Sequence, residues 1–285
     1  MNARRELTDE PRRSALVTGA GGGLGRALVK RLAENGWLVF AGDLDDAQLQ
    51  VFQSSANLVP IILDVTAQES IAAARQTIEA QTAGLDAIVN FAGVMGVGSL
   101  TDIPEARLQR ILDINVMGTY RVNKAFLPLV ERAKGRLVNI SSETGWQTTA
   151  PFNGPYAMTK YAIEAYSHAL RRELALLGVA VITIQPGPFK TDMVEGIERA
   201  FSVAESETMR FKRVIQRLKR LAGKQIRSAH DPTLLAATIE KALTVRRPKP
   251  VYSVKPDPLR SSLERLPLSA IDRAYLTILR KANKD

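Results

Sequence analysis

The chain has 285 residues, 45% of them hydrophobic and 24% charged, with a net charge of +10 and no cysteine. That is the composition of a soluble protein with one large α/β domain, and it excludes disulfides and thiolate metal sites. No apolar run approaches the ~20 residues that a membrane span needs, and the opening MNARRELTDEPRRS lacks the apolar core of a signal peptide, so the expected setting is reducing and cytoplasmic.

The charge is concentrated. Residues 210–227 hold Arg210, Lys212, Arg213, Arg217, Lys219, Arg220, Lys224 and Arg227 and no acid, so the positive field is local. Three readings stand for this segment: a solvated helix face, peripheral contact with an anionic membrane surface, or contact with an acidic substrate such as an acyl-carrier thioester. A single basic stripe is weak evidence for nucleic acid, and no nucleic-acid partner is expected.

Residues 1–13 read as a flexible polar tail. Ser14–Thr18 is a short buried strand that runs into Gly19-Ala-Gly-Gly-Gly23-Leu24-Gly25, and a helical pattern follows over 26–35, closed by Gly36. Strand, glycine turn and helix together present backbone amides and a helix N-terminus to a pyrophosphate, and any Cβ in the turn would hold the ligand off. A second strand, Trp37–Ala41, ends at Gly42-Asp43. An acid about 20 residues beyond such a turn suits the adenosine ribose hydroxyls and repels a 2′-phosphate, which favours NAD over NADP; a loop or cap role for Asp43 is the alternative.

Further strands are expected at 58–63, leading into Asp64-Val65-Thr66, at 85–90, leading into Phe91-Ala92-Gly93, at 136–140 before Ser141-Ser142, at 179–185 before Pro186-Gly187, and at 250–254. Helices are expected at about 67–82 and 104–132, and from Pro155 and Asp231-Pro232 onward. This alternation specifies an α/β fold: a parallel, doubly wound sheet of about seven strands with helices on both faces. Ligands bind at the carboxyl ends of such strands, where Asp64, Asn90, Ala92, Gly93, Ser142 and 186–191 all fall. Residues 14–285 read as one domain, with 188–230 as an insertion that is partly amphipathic helix.

Tyr156 and Lys160 lie one turn apart on the helix from Pro155. A phenol titrates near ~10 and an ammonium close by lowers that value, so the pair is either a tunable acid and base or an ordinary packed tyrosine with a surface lysine. Asn115 sits among apolar neighbours in a helix that asparagine does not favour; core hydrogen bonding is its plain explanation.

Thr18-Gly19-x-x-x-Gly23-x-Gly25, Asn90-Phe-Ala92-Gly93, Asn115, Ser142, Tyr156-x-x-x-Lys160 and Pro186-Gly187-x-x-x-Thr191 together resemble the short-chain dehydrogenase/reductase family, in order from about residue 14 to 191. The resemblance implies a Rossmann-type sheet and a nicotinamide cofactor held by Gly19, Gly23, Leu24, Gly25, Asp43, Asp64, Val65, Asn90, Ala92, Gly93, Tyr156, Lys160, Pro186, Gly187, Phe189 and Thr191. It implies a catalytic set of Ser142, Tyr156, Lys160 and Asn115, with residues 188–230 as substrate lid and pairing into homodimers or homotetramers through the helices carrying Asn115 and Tyr156. The stretch from Tyr156 to Leu174 is similar to the hydroxysteroid and retinol dehydrogenase branch. A bulky, apolar secondary alcohol or ketone is therefore expected, with Trp146, Phe152, Phe189, Met193 and Phe201 as pocket residues.

Within that pattern Tyr156 exchanges the substrate proton while hydride moves to or from the nicotinamide. Lys160 and the cationic nicotinamide ring lower its pKa, Ser142 binds the substrate oxygen, and Asn115 orients a water behind Lys160. Phe91 departs from the usual second asparagine, and the Ser142–Tyr156 spacing is about one residue longer than usual. Ser141 and Ser142 face opposite ways in an extended strand, so only one reaches the substrate; the pattern favours Ser142. A non-catalytic NAD-sensing module on the same fold is the rival class, and the full set of four residues argues against it.

Overall fold

The computed structural model describes residues 12–52, 55–190, 193–226 and 229–284, and only the backbone of 193–195, 221–226 and 282–284. Seven strands, β1 (Ser14–Thr18), β2 (Leu38–Asp43), β3 (Leu58–Ile62), β4 (Ala87–Asn90), β5 (Arg136–Ile140), β6 (Ala180–Pro186) and β7 (Val251–Val254), form one sheet in the order β3-β2-β1-β4-β5-β6-β7. Every neighbouring pair is parallel. The helices are α1 (Gly23–Glu34), α2 (Asp46–Leu49), α3 (Gln68–Glu79), α4 (Glu105–Leu112), α5 (Thr119–Ala133), α6 (Gly154–Leu174), α7 (Met193–Glu207), α8 (Lys212–Ile226), α9 (Pro232–Thr244), α10 (Pro258–Leu263) and α11 (Leu268–Lys284).

Burial explains the layering. β1, β4 and most of β5 are fully buried, as strands covered on both faces must be. Leu28, Val29 and Leu32 of α1, with Leu235, Ile239 and Leu243 of α9, seal one face against Val17, Val39 and Val89. Ile71 and Ile78 of α3, with Val122, Phe126 and Leu129 of α5, seal the other against Leu16, Phe40 and Ile88. Asp231 caps α9 through the Thr233 amide, with Pro232 in the first turn, as its sequence predicts.

Register brings the strand ends level: Thr18 pairs with Gly42 and with Asn90, and Asn90 with Asn139. The chain leaves β1 for β2 on one side and reaches β4 on the other, so a crevice opens at the carboxyl end of β1. The 188–230 insertion contains two helices where one was expected, α7 and α8. They close over a small third core in which Val97, Ala200, Ala204 and Ile215 are buried against Met95, Phe152, Phe201 and Phe211. Among the described residues no helix is long and apolar enough to cross a membrane, and no cluster of acids and histidines could hold a metal.

Candidate active site

The glycine turn is packed backbone to backbone. Gly19 has φ +64°, and a Cβ there would stand 2.8 Å from the Ala92 nitrogen; a Cβ on Gly25 would run into the Gly19 carbonyl. The Thr18 hydroxyl accepts a hydrogen bond from the Ala92 amide (3.2 Å), which ties the turn to the end of β4. Gly22 precedes α1 and no side chain caps the helix. The first-turn amides at Gly23, Leu24 and Gly25 therefore have neither a side-chain acceptor nor an acid beside them, which suits a pyrophosphate.

Asp43 ends β2 with one carboxylate oxygen accepting from the Gly21 amide (2.9 Å) and the other from the Asp45 amide (3.2 Å). It is a loop brace, half-buried at the carboxyl end of β2. One cation that the sequence reading passed over lies close: Arg26 reaches back from α1 and donates to the Gly21 carbonyl (2.7 Å). Asp64 accepts from the amide and hydroxyl of Thr66 (2.8 and 2.7 Å), and Val65 is buried next to Gly118.

Two expected cofactor residues turn inward instead. The Asn90 side chain is buried and donates to Asn123 (2.8 Å) and Asn139 (3.0 Å), joining β4, β5 and α5, so it braces the sheet and does not face the rim. The Phe189 ring is 7% exposed and packs in the core with α9, which removes it from the pocket. Gly187 is required by close approach, since a Cβ would collide with the Lys255 carbonyl. Its amide donates to Val254 beside Pro186 (2.9 Å). Thr191 lies outside the described residues, as does the Met193 side chain.

Beyond β5 the chain stays extended, with Ser142 at φ −166°, and the two serines diverge as a strand requires. Ser141 is buried and points to the Lys160 carbonyl on α6 (3.4 Å), whereas Ser142 is half-buried and its hydroxyl stands close enough to the Tyr156 phenol to favour its ionised form. Lys160 is 7% exposed; its Nζ lies 5.4 Å from the Tyr156 ring centroid and donates to the Ile140 carbonyl (2.8 Å). Ser142, Tyr156 and Lys160 therefore converge. Asn115 makes the core hydrogen bonds that are its plain explanation. Its amide accepts from the Val94 amide (2.7 Å) and donates to the Val94 carbonyl (2.9 Å) and Thr159 (3.1 Å), which fastens the loop after β4 to α6. A π-turn over Asp113–Gly118 carries it, a device frequent at functional positions.

Burial pushes the Tyr156 phenol up to about 12; the nearby Ser142 hydroxyl pulls it down and the neighbouring Glu143 carboxylate pushes it further up. Burial likewise brings Lys160 down to about 8, against the attraction of Glu164 one turn on. Desolvation outweighs the lysine's charge in the protein alone. Glu143, unremarked in the sequence, is 8% exposed, and burial raises its carboxyl, opposed by the Asp257 amide (2.6 Å) and Arg260 (3.6 Å).

Lys160 makes a linkage test. Its folded pKa of about 8 lies below the 10.5 of an unfolded lysine, so between them the unfolded chain holds more protons and stability rises with pH. Below pH 8 the buried ammonium costs on the order of 3 kcal/mol. Urea midpoints should therefore rise for the wild type relative to Lys160→Met between pH 7.5 and 9.5; a gap that is constant across that window contradicts the buried, depressed lysine.

An open helix N-terminus for a pyrophosphate, with a phenol, a hydroxyl and a buried amine grouped on the same rim, describes an enzyme that works on a substrate beside a bound nucleotide. The chain belongs to the short chain dehydrogenase family, whose model matches residues 13–201. It is 34% identical over 251 residues to retinol dehydrogenase 16 of Rattus norvegicus, covering 83% of this chain and 78% of that one. It is 35% identical over 270 residues to estradiol 17-beta-dehydrogenase 2 of Mus musculus, covering 87% and 69%. A crystal structure of a short-chain dehydrogenase from Streptomyces avermitilis superposes with a TM-score of 0.76 at 26% identity, over 96% of this chain and 98% of that one. The protein is thus an oxidoreductase of this family, and membership implies a nicotinamide cofactor, NAD or NADP.

Proposed function

We propose that this protein interconverts a bulky, apolar secondary alcohol and its ketone with NAD, using Tyr156 as the proton carrier. The observation that carries the reading is Lys160, buried one turn along the same helix with its Nζ 5.4 Å from the centre of the Tyr156 ring, and the Ser142 hydroxyl near the phenol. The bound nicotinamide supplies hydride exchange with the substrate carbon. In reduction the Tyr156 hydroxyl gives its proton to the ketone oxygen while the Ser142 hydroxyl donates to the same atom, where charge develops. In oxidation Tyr156 takes the substrate proton as phenolate, a form that burial opposes in the protein alone and that the positive charge of a bound oxidised nicotinamide would favour. Lys160 holds its ammonium beside the phenol, and Asn115 acts as a positioning residue through Val94 and Thr159.

Met95, Phe152, Phe201 and Phe211 beneath the lid support an apolar substrate, as do the activities named for the rat and mouse relatives. Half-exposed Met117, Tyr120, Met158 and Tyr161 on and beside α5 and α6 fit pairing of two copies. Lys212, Arg213 and Arg220 lie exposed on α8, next to Met209 at 93% exposure, an arrangement suited to peripheral contact with an anionic membrane. Salt-sensitive sedimentation with phosphatidylserine vesicles tests that contact, and no binding at low salt removes it.

A screen of steroids, retinoids, hydroxy acids and sugar alcohols, read by nicotinamide absorbance with NAD and NADP separately, tests the whole reading. Turnover confined to sugar alcohols, or a preference for NADP, sinks it. Asp43 supplies the cofactor arm: Asp43→Ser removes the repelling carboxylate, so the NAD over NADP ratio of kcat/KM should fall about tenfold or more. An unchanged ratio would mean that Asp43 only braces the turn.

A further inference from the structure

Beside the catalytic residues, and not including them, an open cleft of about 590 Å³ lies between α11 and two loops, 98–101 and 148–154. Its apolar lining includes Leu100, Pro151, Phe152, Phe211, Leu276 and Leu279. On α11 the apolar residues Leu268, Ile271, Tyr275, Leu276, Ile278 and Leu279 share one side at helical spacing, and Arg273, Thr277, Arg280 and Lys281 take the other. That apolar side is only partly covered: Ile271 is 2% exposed and Tyr275 and Leu279 are half-covered, whereas Leu276 at the cleft, Ile278 and Leu268 are exposed. A helix that turns its apolar face inward and leaves part of it uncovered leaves room for a ligand, and the volume is that of a small-molecule site.

The cleft is held open from one side. Glu264, just beyond α10, accepts from the Thr148 amide (2.7 Å) and hydroxyl (3.1 Å), and the Gln147 amide nitrogen donates to Ser261 (3.0 Å). The segment leading into α11 is thereby strapped to the loop that follows Ser142. The inner wall, 148–154, runs straight into Tyr156. Within it Phe152 holds a left-handed backbone at φ +66°, accepts from the Gly98 amide (2.8 Å), and sets its ring edge-on to Phe211 at 5.3 Å. Phe152 thus belongs both to the cleft and to the apolar cluster under the lid. Among the described residues no lysine or arginine lines the cleft and the charged residue there is Asp272, so a neutral chain fits better than an anionic one.

We propose that the cleft under α11 binds an elongated, uncharged apolar chain, the tail of the substrate whose carbinol or carbonyl carbon lies at Tyr156. Its link to catalysis rests on the function proposed above; the binding site itself does not.

Two measurements separate these claims. N-phenyl-1-naphthylamine fluorescence should report saturable binding to the wild type, about tenfold weaker or worse in Leu276→Glu, which sets a carboxylate in the apolar lining, and restored in Leu276→Met. Leu276 is exposed enough for thermal unfolding to stay unchanged. With NAD and a series of 2-alkanols, kcat/KM should climb by up to about fourfold per methylene until the cleft is filled, and the climb should vanish in Leu276→Glu while the shortest alcohols keep their rates. Equal probe binding by wild type and Leu276→Glu overturns the site. A flat chain-length series in a turning-over wild type overturns its role as tail site. If no alcohol of any length reacts, the function proposed above falls and probe binding alone decides the cleft. If Leu276→Glu dissociates an oligomer, a second copy fills the cleft and the proposal is wrong.

Discussion

Tyr156→Phe should lower kcat by ~10²- to 10⁴-fold, the usual weight of a positioned proton transfer, while cofactor affinity stays unchanged. The substitution removes one oxygen and leaves the ring that stands 5.4 Å from the Lys160 ammonium. Ser142, half-buried near the phenol, accepts from the Thr144 amide (3.2 Å), so the loop keeps its brace. Single-turnover rates with prebound cofactor, beside calorimetric cofactor titration, read both halves. A variant that keeps a tenth of the wild-type rate would show that the proton travels by another route.

Gly25→Ala should be the most damaging change outside the catalytic residues. The new methyl would collide with the Gly19 carbonyl and press on Ala20, and both are backbone, which cannot swing aside as a side chain would. Gly19 has no slack to offer, because its own site abuts the Ala92 nitrogen at φ +64°. The start of α1 must therefore retreat from the turn, and overpacking of this kind costs roughly 1–3 kcal/mol of stability. The expected result is a lower urea midpoint and cofactor affinity weakened about tenfold or more, since the helix amides no longer converge on the pyrophosphate. Gly36→Ala is the control: φ is +83° but nothing lies within 4 Å, so only the helix end is strained and cofactor binding should hold. Equal effects from the two substitutions would rule out close packing at the turn.

The strands and the glycine turn were legible because their signals are local: buried β-branched runs, a glycine cluster at fixed distance from a strand, and a proline opening each of two helices. Helical spacing placed Tyr156 with Lys160, and strand alternation showed that only one of Ser141 and Ser142 could join them, the family pattern favouring Ser142. What stayed hidden depends on long-range contacts or on burial. The π-turn at Asn115 is one extra residue in an otherwise continuous helical pattern, and the Val94 partner of its side chain lies 21 positions away. Asn90 reads like a rim residue by position, yet β4 aims it at Asn123 and Asn139. α7 went unseen because Met193–Glu207 carries Gly196 and a mixed polar pattern, whereas α8 announces itself by a clean basic and apolar division. The burial that pushes the Tyr156 phenol up in the protein alone, and the Glu143 carboxylate that adds to it, are set by tertiary packing and have no local signal.

The ionisation of Tyr156 itself is the most telling quantity, obtained as the tyrosinate absorbance titration of the wild type minus that of Tyr156→Phe. In the free protein the difference should titrate at about 12, and it should move clearly downward when NAD is bound and in Glu143→Gln. A phenol that titrates at the same pH with and without NAD would contradict Tyr156 as the group that carries the proton.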